Sequence, residues 1–177
     1  MKIKQLFPKF DLPVKFENLN GDWGNYWFKS DCIVLDLELK EHSPSYSKII
    51  FLHEMIHSTM HKKRLFRLER LQNNFGAYIK GSLAYRVEEC IADIGCMVAS
   101  LKLGLFNEYS KTIILQGFEQ NYTKDMYIPI REVRAALKYF ADDYTSFESE
   151  INEARIYLEA YMDIKFQDSY DRKEASA

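Results

Sequence analysis

The stretch Ile49-Ile50-Phe51-Leu52-His53-Glu54-Met55-Ile56-His57 decides how this chain is read. It ends in HExxH, two histidines four apart with a glutamate after the first. On a helix, residues i and i+4 lie one above the other on one face. Two imidazoles so placed can grip one metal ion, and the glutamate beside them can handle a water on that ion, as in a zinc peptidase. Chance matches to so short a motif occur on exposed amphipathic helices, where charged or turn-forming residues fill the middle. Here Met55 and Ile56 are apolar, and so is every residue from Ile49 to Leu52. Glu54 is the only certain charge between Ile49 and Met60. Such a stretch should be buried, and a lone buried carboxylate needs a reason to be there.

Working outward, Ser43-Pro44 predicts the start of this helix, with Ser as N-cap and Pro at the first helical position. The helix is expected from Pro44 to about Met60, with Ile49, Leu52, Ile56 and Met60 as its apolar stripe. Upstream, Tyr26-Trp27-Phe28 and Cys32-Ile33-Val34-Leu35-Asp36-Leu37 read as the two strands of a hairpin. Residues 1–20 carry two prolines and read as an arm or irregular strand. Downstream, residues 61–81 form a basic connector, with Lys62, Lys63, Arg64, Arg67, Arg70 and Lys80 against Glu69 alone. A second long helix runs from Leu83 to Leu103 and stops at Gly104. Residues 105–129 are mixed. Helices near 130–141 and 146–164 follow, the last with Thr145 and Glu148 as a capping box. The fold class is α+β: a small N-terminal antiparallel sheet or hairpin packed on the motif helix, then a mainly helical part. One domain is expected over residues 1–166, with a polar, disordered tail over 167–177.

The 177 residues suffice for one domain with a core, and 47% hydrophobic with 15% aromatic residues suits a globule. A net charge of -2 makes no overall electrostatic case for nucleic acid or an acidic membrane surface. Cys32, Cys90 and Cys96 are odd in number and form no CxxC, so reduced thiols are expected rather than a disulfide framework. The N-terminus lacks the apolar run of a signal peptide, and no apolar run is long enough to span a bilayer. The expected location is the cytoplasm.

A catalytic zinc takes three protein ligands and keeps one position open. His53 and His57 supply two. A third histidine six residues after the second would fall at position 63, which is Lys63 and cannot serve. His61 shares the face only if the helix continues, and Lys62-Lys63-Arg64 argues that it ends nearby; the plain reading is a polar residue at the helix exit. The better third ligand lies in Arg86-Val87-Glu88-Glu89-Cys90-Ile91-Ala92-Asp93. Glu89 and Asp93 are four apart on one helical face. The pair resembles the HExxH-plus-glutamate zincins, in which a ligand glutamate is often followed four residues later by an acid; that resemblance assigns Glu89 as ligand and Asp93 as the acid that takes the N–H of a ligating histidine and fixes its tautomer. Glu88 points elsewhere on the helical wheel and is the alternative ligand. An ordinary solvated face is the competing reading of these acids. Against it, Ala92, Gly95, Ala99 and Ser100 are small, as a helix needs where another helix packs closely.

These residues resemble a known family. His53-Glu54-Met55-Ile56-His57-Ser58-Thr59-Met60-His61 with Arg64-Leu65 is similar to the HELxHxTGHxxRL segment of ArdC-type antirestriction proteins. Tyr85 to Cys96 resembles that family's YxREELVAEIGA segment. The likeness spans roughly residues 24–162 and is specific in these two segments. It implies a zincin-like metallopeptidase domain with one Zn2+ on His53, His57 and Glu89, and Glu54 as catalytic acid and base. It also implies a phage or mobile-element setting and, in some members, opposition to host restriction. Family members often carry a single-strand-DNA-binding domain, for which this chain has no room, and Met60 stands where the family has glycine.

The expected activity is gluzincin-type hydrolysis of a peptide or protein. Glu54 takes a proton from water and passes it to the leaving amine, and an edge strand near Cys32–Leu37 pairs with an extended substrate. Tyr122 and Tyr127 are candidate oxyanion donors by elimination among 12 tyrosines, most of which pack or lie on the surface. The alternative is a binding protein that keeps the metal fold and blocks a host defence protein without cutting it. The connector 61–81 would then face an acidic partner or nucleic acid. No membrane partner is expected.

Overall fold

The computed structural model describes residues 3–42, 44–123, 126, 130–141 and 147–175, with side chains up to residue 163 apart from residues 41 and 42. The Ser43 cap, Tyr127 and the Thr145 cap lie outside the described residues. The chain is α+β. A short helix α1 (Ile3–Leu6) precedes three strands, β1 (Val14–Glu17), β2 (Gly24–Trp27) and β3 (Cys32–Asp36). Helices follow: α2 (Leu37–His42), α3 (Pro44–Ser58), α4 (Arg67–Phe75), α5 (Leu83–Leu103), α6 (Glu108–Asn121), α7 (Ile130–Phe140) and α8 (Glu148–Ala175).

The sheet is mixed, in the order β1-β3-β2. β2 and β3 form the antiparallel hairpin, with Gly24 opposite Leu35 and Trp27 opposite Cys32. Asp31 closes its loop at φ 52, a left-handed conformation that an Asp tolerates better than most residues. β1 adds in parallel, Val14 opposite Ile33, so the sheet is not purely antiparallel as expected. Every residue of β3 is buried, which places that strand in the middle. The expected edge at Cys32–Leu37 is therefore wrong: β1 and β2 are the edge strands, β2 the one packed on α3, and Leu37 begins a helix.

α5 is the axle of the helical part. From Cys90 to Ser100 every side chain is buried, so neighbours meet it on all sides. Ser82 caps its start, accepting the Tyr85 N–H at 3.2 Å, and Gly104 at φ 67 ends it. α3 crosses α5 where Gly95 faces Ile56; a Cβ there would come within 2.8 Å of that side chain. The small residues of α5 therefore set how near the motif helix can come. α4 occupies the span read as a connector, and α6 the span read as mixed, with Asn107 and Ser110 as a reciprocal capping box. The tail from Gln167 has helical backbone to Ala175, and its side chains lie outside the described residues. Cys32, Cys90 and Cys96 are buried free thiols. Among the described residues no helix is long and apolar enough to cross a membrane.

Gly24 brings the edge strand down onto α3. A Cβ there would sit 2.4 Å from Ile50 and 3.2 Å from the Glu54 side chain. Gly24→Val is expected to force β2 off the helix and lower stability by about 1–3 kcal/mol, as overpacking does. A urea midpoint equal to that of the unmodified protein would contradict this packing.

Candidate metal centre

α3 presents His53, Glu54 and His57 on successive turns, and α5 answers with Glu88, Glu89 and Asp93. The helices run antiparallel here, because Asp93 meets His53 while Glu88 meets His57. Glu89 stands between, with one carboxylate oxygen 3.4 Å from His53 Nε2 and the other 3.6 Å from His57 Nε2. The two Nε2 atoms are 2.9 Å apart. His53, His57 and Glu89 thus bring their ligand atoms within 4.8 Å of one another, a cluster that can hold a metal ion.

The proton arrangement says what belongs in that gap. His53 Nδ1 lies 3.1 Å from Asp93 Oδ1, and His57 Nδ1 lies 3.1 Å from Glu88 Oε1. With each Nδ1–H assigned to its carboxylate neighbour, each Nε2 turns a lone pair to the centre. Two lone pairs and a carboxylate converging at these distances repel unless a cation lies among them. A tetrahedral ion about 2.0–2.1 Å from each nitrogen would space them about 3.3 Å apart. The histidines need open only by a few tenths of an ångström, and the oxygens already stand at a fitting distance.

Without an ion, protons fill the gap. Burial works to lower the His57 pKa, but the charge of Glu89 and the hydrogen bonds of Glu88 and Glu89 overcome it and raise it to about 9. His53 is likewise raised, against burial, by Asp93 and Glu89. The same contacts pull Glu89 well below the usual carboxylate range although burial opposes them. Burial raises the Glu54 carboxyl, the two histidines partly counter it, and the charge of Glu89 adds to the rise.

Glu88 was expected to point elsewhere. It is fully buried and takes the His57 proton, while Arg67 grips its two oxygens at 2.5 and 2.8 Å. Burying two charges together requires such pairing. Asp93 differs: Oδ1 faces His53, whereas Oδ2 is buried with no hydrogen-bond partner. Gly117 of α6 lies over it, and a Cβ there would come within 3.1–3.2 Å of the carboxylate. His61 is outside the cluster; its Nδ1 is 3.8 Å from Asp31 and its ring packs on Phe28.

The cluster lies in a cleft of about 510 Å³. β2 with Asp22 and Trp23 lines one part of it, α6 contributes Ile113, Ile114 and Gly117, and Tyr78, Lys80 and Tyr85 complete it. Tyr122 is not on this wall; it ends α6 and stacks on Phe118. Tyr85 is there instead, one turn before Glu89 on α5, with the Tyr78 ring beside it at 5.7 Å. The spacing of Tyr85 and Glu89, i and i+4, was the sequence signal for it. A larger groove of about 930 Å³ between α6 and α8 has no histidine or cysteine in its lining.

No family model, curated protein or solved structure matches the chain.

Because folding raises the His57 pKa from 6.5 to about 9, the metal-free site contributes its stability below pH 6.5 and loses it as pH rises through about 9. A metal ion must displace that proton. Affinity is expected to climb with pH up to about 9, with proton release at pH 7. Calorimetry in buffers of different ionisation heat measures the release, and an observed heat independent of buffer would show that no proton is displaced.

Proposed function

We propose that this chain is a zinc-dependent peptidase of the gluzincin type, built on a zincin-like fold. The observation that carries the reading is the convergence of His53, His57 and Glu89 beside the buried Glu54 in an open cleft bounded by an edge strand. His53 and His57 would hold the ion through Nε2 and Glu89 through its carboxylate. Zinc so held supplies Lewis acidity, enough to bring a water's pKa to roughly 7 and polarise a carbonyl.

Glu54 follows His53 directly and lies on the same wall. It would accept the proton of the attacking water and hand it to the departing amine. Tyr85 and Tyr78, not Tyr122, have hydroxyls available to stabilise a developing oxyanion. Burial first, then the acidic neighbours, raises both phenols, so they stay protonated and remain donors. β2 pairs with β3 on one side only, so its other edge is open to an extended peptide.

At the end of the cleft where α3 begins, Trp23, Tyr46 and Tyr109 form a run of rings with centroids 5.4 and 5.9 Å apart. Trp23 and Tyr109 are exposed, with Ile49, Ile50 and Ile113 lining the adjoining wall. This end is suited to a bulky apolar side chain. Trp23→Ala is expected to lower kcat/KM roughly 10-fold or more for peptides carrying an aromatic residue there, while alanine-only analogues change little. Equal losses on both substrates would place Trp23 in the scaffold rather than in recognition.

The basic connector supports nucleic-acid binding less than its composition did. Lys63 and Arg64 pair with Asp31, Arg67 with Glu88 and Arg70 with Glu132, so four of its six cations have partners inside the fold. The decisive experiment is Glu54→Gln. It should keep about one zinc per chain by metal analysis and lose 100-fold or more in peptide hydrolysis. A counter-defence effect that survives this substitution undiminished would favour occlusion over cleavage.

A further inference from the structure

We propose that Arg67 is a positioning residue for the metal centre, acting on the ligand His57 through Glu88. The proposal rests on the metal-site reading and is independent of what the site cleaves. Arg67 and Glu88 are both 0% exposed. Every nitrogen of the Arg67 guanidinium has an acceptor. Nη1 donates to Glu88 Oε2 at 2.5 Å, and Nη2 to Glu88 Oε1 at 2.8 Å and to the Ile56 carbonyl at 3.1 Å. Nε donates to Thr59 Oγ1 at 2.9 Å, and that hydroxyl donates to the same Ile56 carbonyl at 2.7 Å. Glu88 Oε1 then meets His57 Nδ1 at 3.1 Å. The path from guanidinium to ligand is a single file of buried atoms with no solvent-facing step.

Geometry gives each link a task. An arginine fork holds a carboxylate in one plane, which a single point charge cannot do. Glu88 so held offers Oε1 in one direction, and the His57 ring must turn its Nδ1–H to meet it. The opposite nitrogen then carries the lone pair toward Glu89 and His53. The other histidine lacks this anchor. Asp93 has one oxygen on His53 and the other unpartnered, so the two ligands are held with unequal rigidity.

The backbone is shaped to deliver Arg67. After α3 ends, the Leu65 N–H bonds back to the Thr59 carbonyl and the Phe66 N–H to the His61 carbonyl. Phe66 takes φ 51, costly for a bulky residue, with its ring 45% exposed. The next residue is Arg67, at the start of α4 and under the end of α3. A left-handed phenylalanine at an exposed turn is explained by where it sends its neighbour.

The test is a cycle of Arg67→Lys, Glu88→Gln and the double variant. Zinc affinity is read by competition with a chromophoric chelator, and the ligand field by the visible spectrum of the cobalt-loaded protein. Both single variants are expected to bind zinc 10–100-fold more weakly and to alter the cobalt bands. The double variant should be no weaker than Glu88→Gln, because Arg67 acts through that residue. Folding is checked by circular dichroism in chelator, and Glu88→Gln, close to isosteric, keeps the test open if Arg67→Lys unfolds. Native affinity and bands in folded variants, or losses that multiply in the double variant, would overturn the relay while leaving the metal site standing. A wild-type protein that takes up neither ion would remove the site and the relay together.

Discussion

Three acceptors converge on one point between α3 and α5, and the surrounding architecture answers the repulsion among them. His53, His57 and Glu89 would separate in water. They stay together because α3 and α5 are locked at short range by the buried contact of Ile56 with Gly95. That closeness creates the demand for a cation and the high proton affinity of the histidines. It also exposes two Nδ1–H groups to a dry interior, where Asp93 and Glu88 meet them. Glu88 in turn needs a counter-charge, and Arg67 supplies it. Each buried polar group thus imposes the next, outward from the centre to a turn at the surface.

The long helices and the two motif segments were legible because their signals are local. Leu83–Leu103 has a cap, a stop and an unbroken apolar period, and the structure agrees at both ends. Four-residue spacing put Glu89 and Asp93 on one face of α5, and the resemblance to HExxH-plus-glutamate zincins turned that face toward the histidines. Glu88 could not be placed so, because the wheel assumes one working face. α5 is buried on every side through its middle, so a residue one step round the helix still meets a partner. Arg67 was hidden for a different reason. Its role depends on a left-handed Phe66, which no propensity favours, and charge patterning counts a buried arginine and a solvated one alike.

The sheet was misjudged where pairing is distant. β1 is four residues long, two of them exposed, and it joins β3 across nineteen positions of sequence, Val14 to Ile33. A parallel partner leaves no turn signature to read. Its presence moves β3 to the middle and leaves β2 as the edge strand beside the cleft, with Gly24 at its start and Trp23 just before it. Tyr26 joins this edge to the far end of α3: its hydroxyl bonds Asp31 and Arg64, and Arg64 in turn takes the Ser58 carbonyl at 2.6 Å. Against burial, the hydrogen bonds from Arg64 and Tyr26 hold Asp31 at about 2, so this brace stays charged across the neutral range.

The fit of Ile56 against Gly95 bears on how such chains diverge. The two middle positions of HExxH are written as free, yet Met55 and Ile56 are wholly buried here and one of them presses on a glycine thirty-nine residues downstream. A larger residue at position 95 and a smaller one at 56 would have to arise together, or the crossing would open and the ligands with it. The x positions of the motif thus carry a packing constraint of their own, a volume shared between two helices.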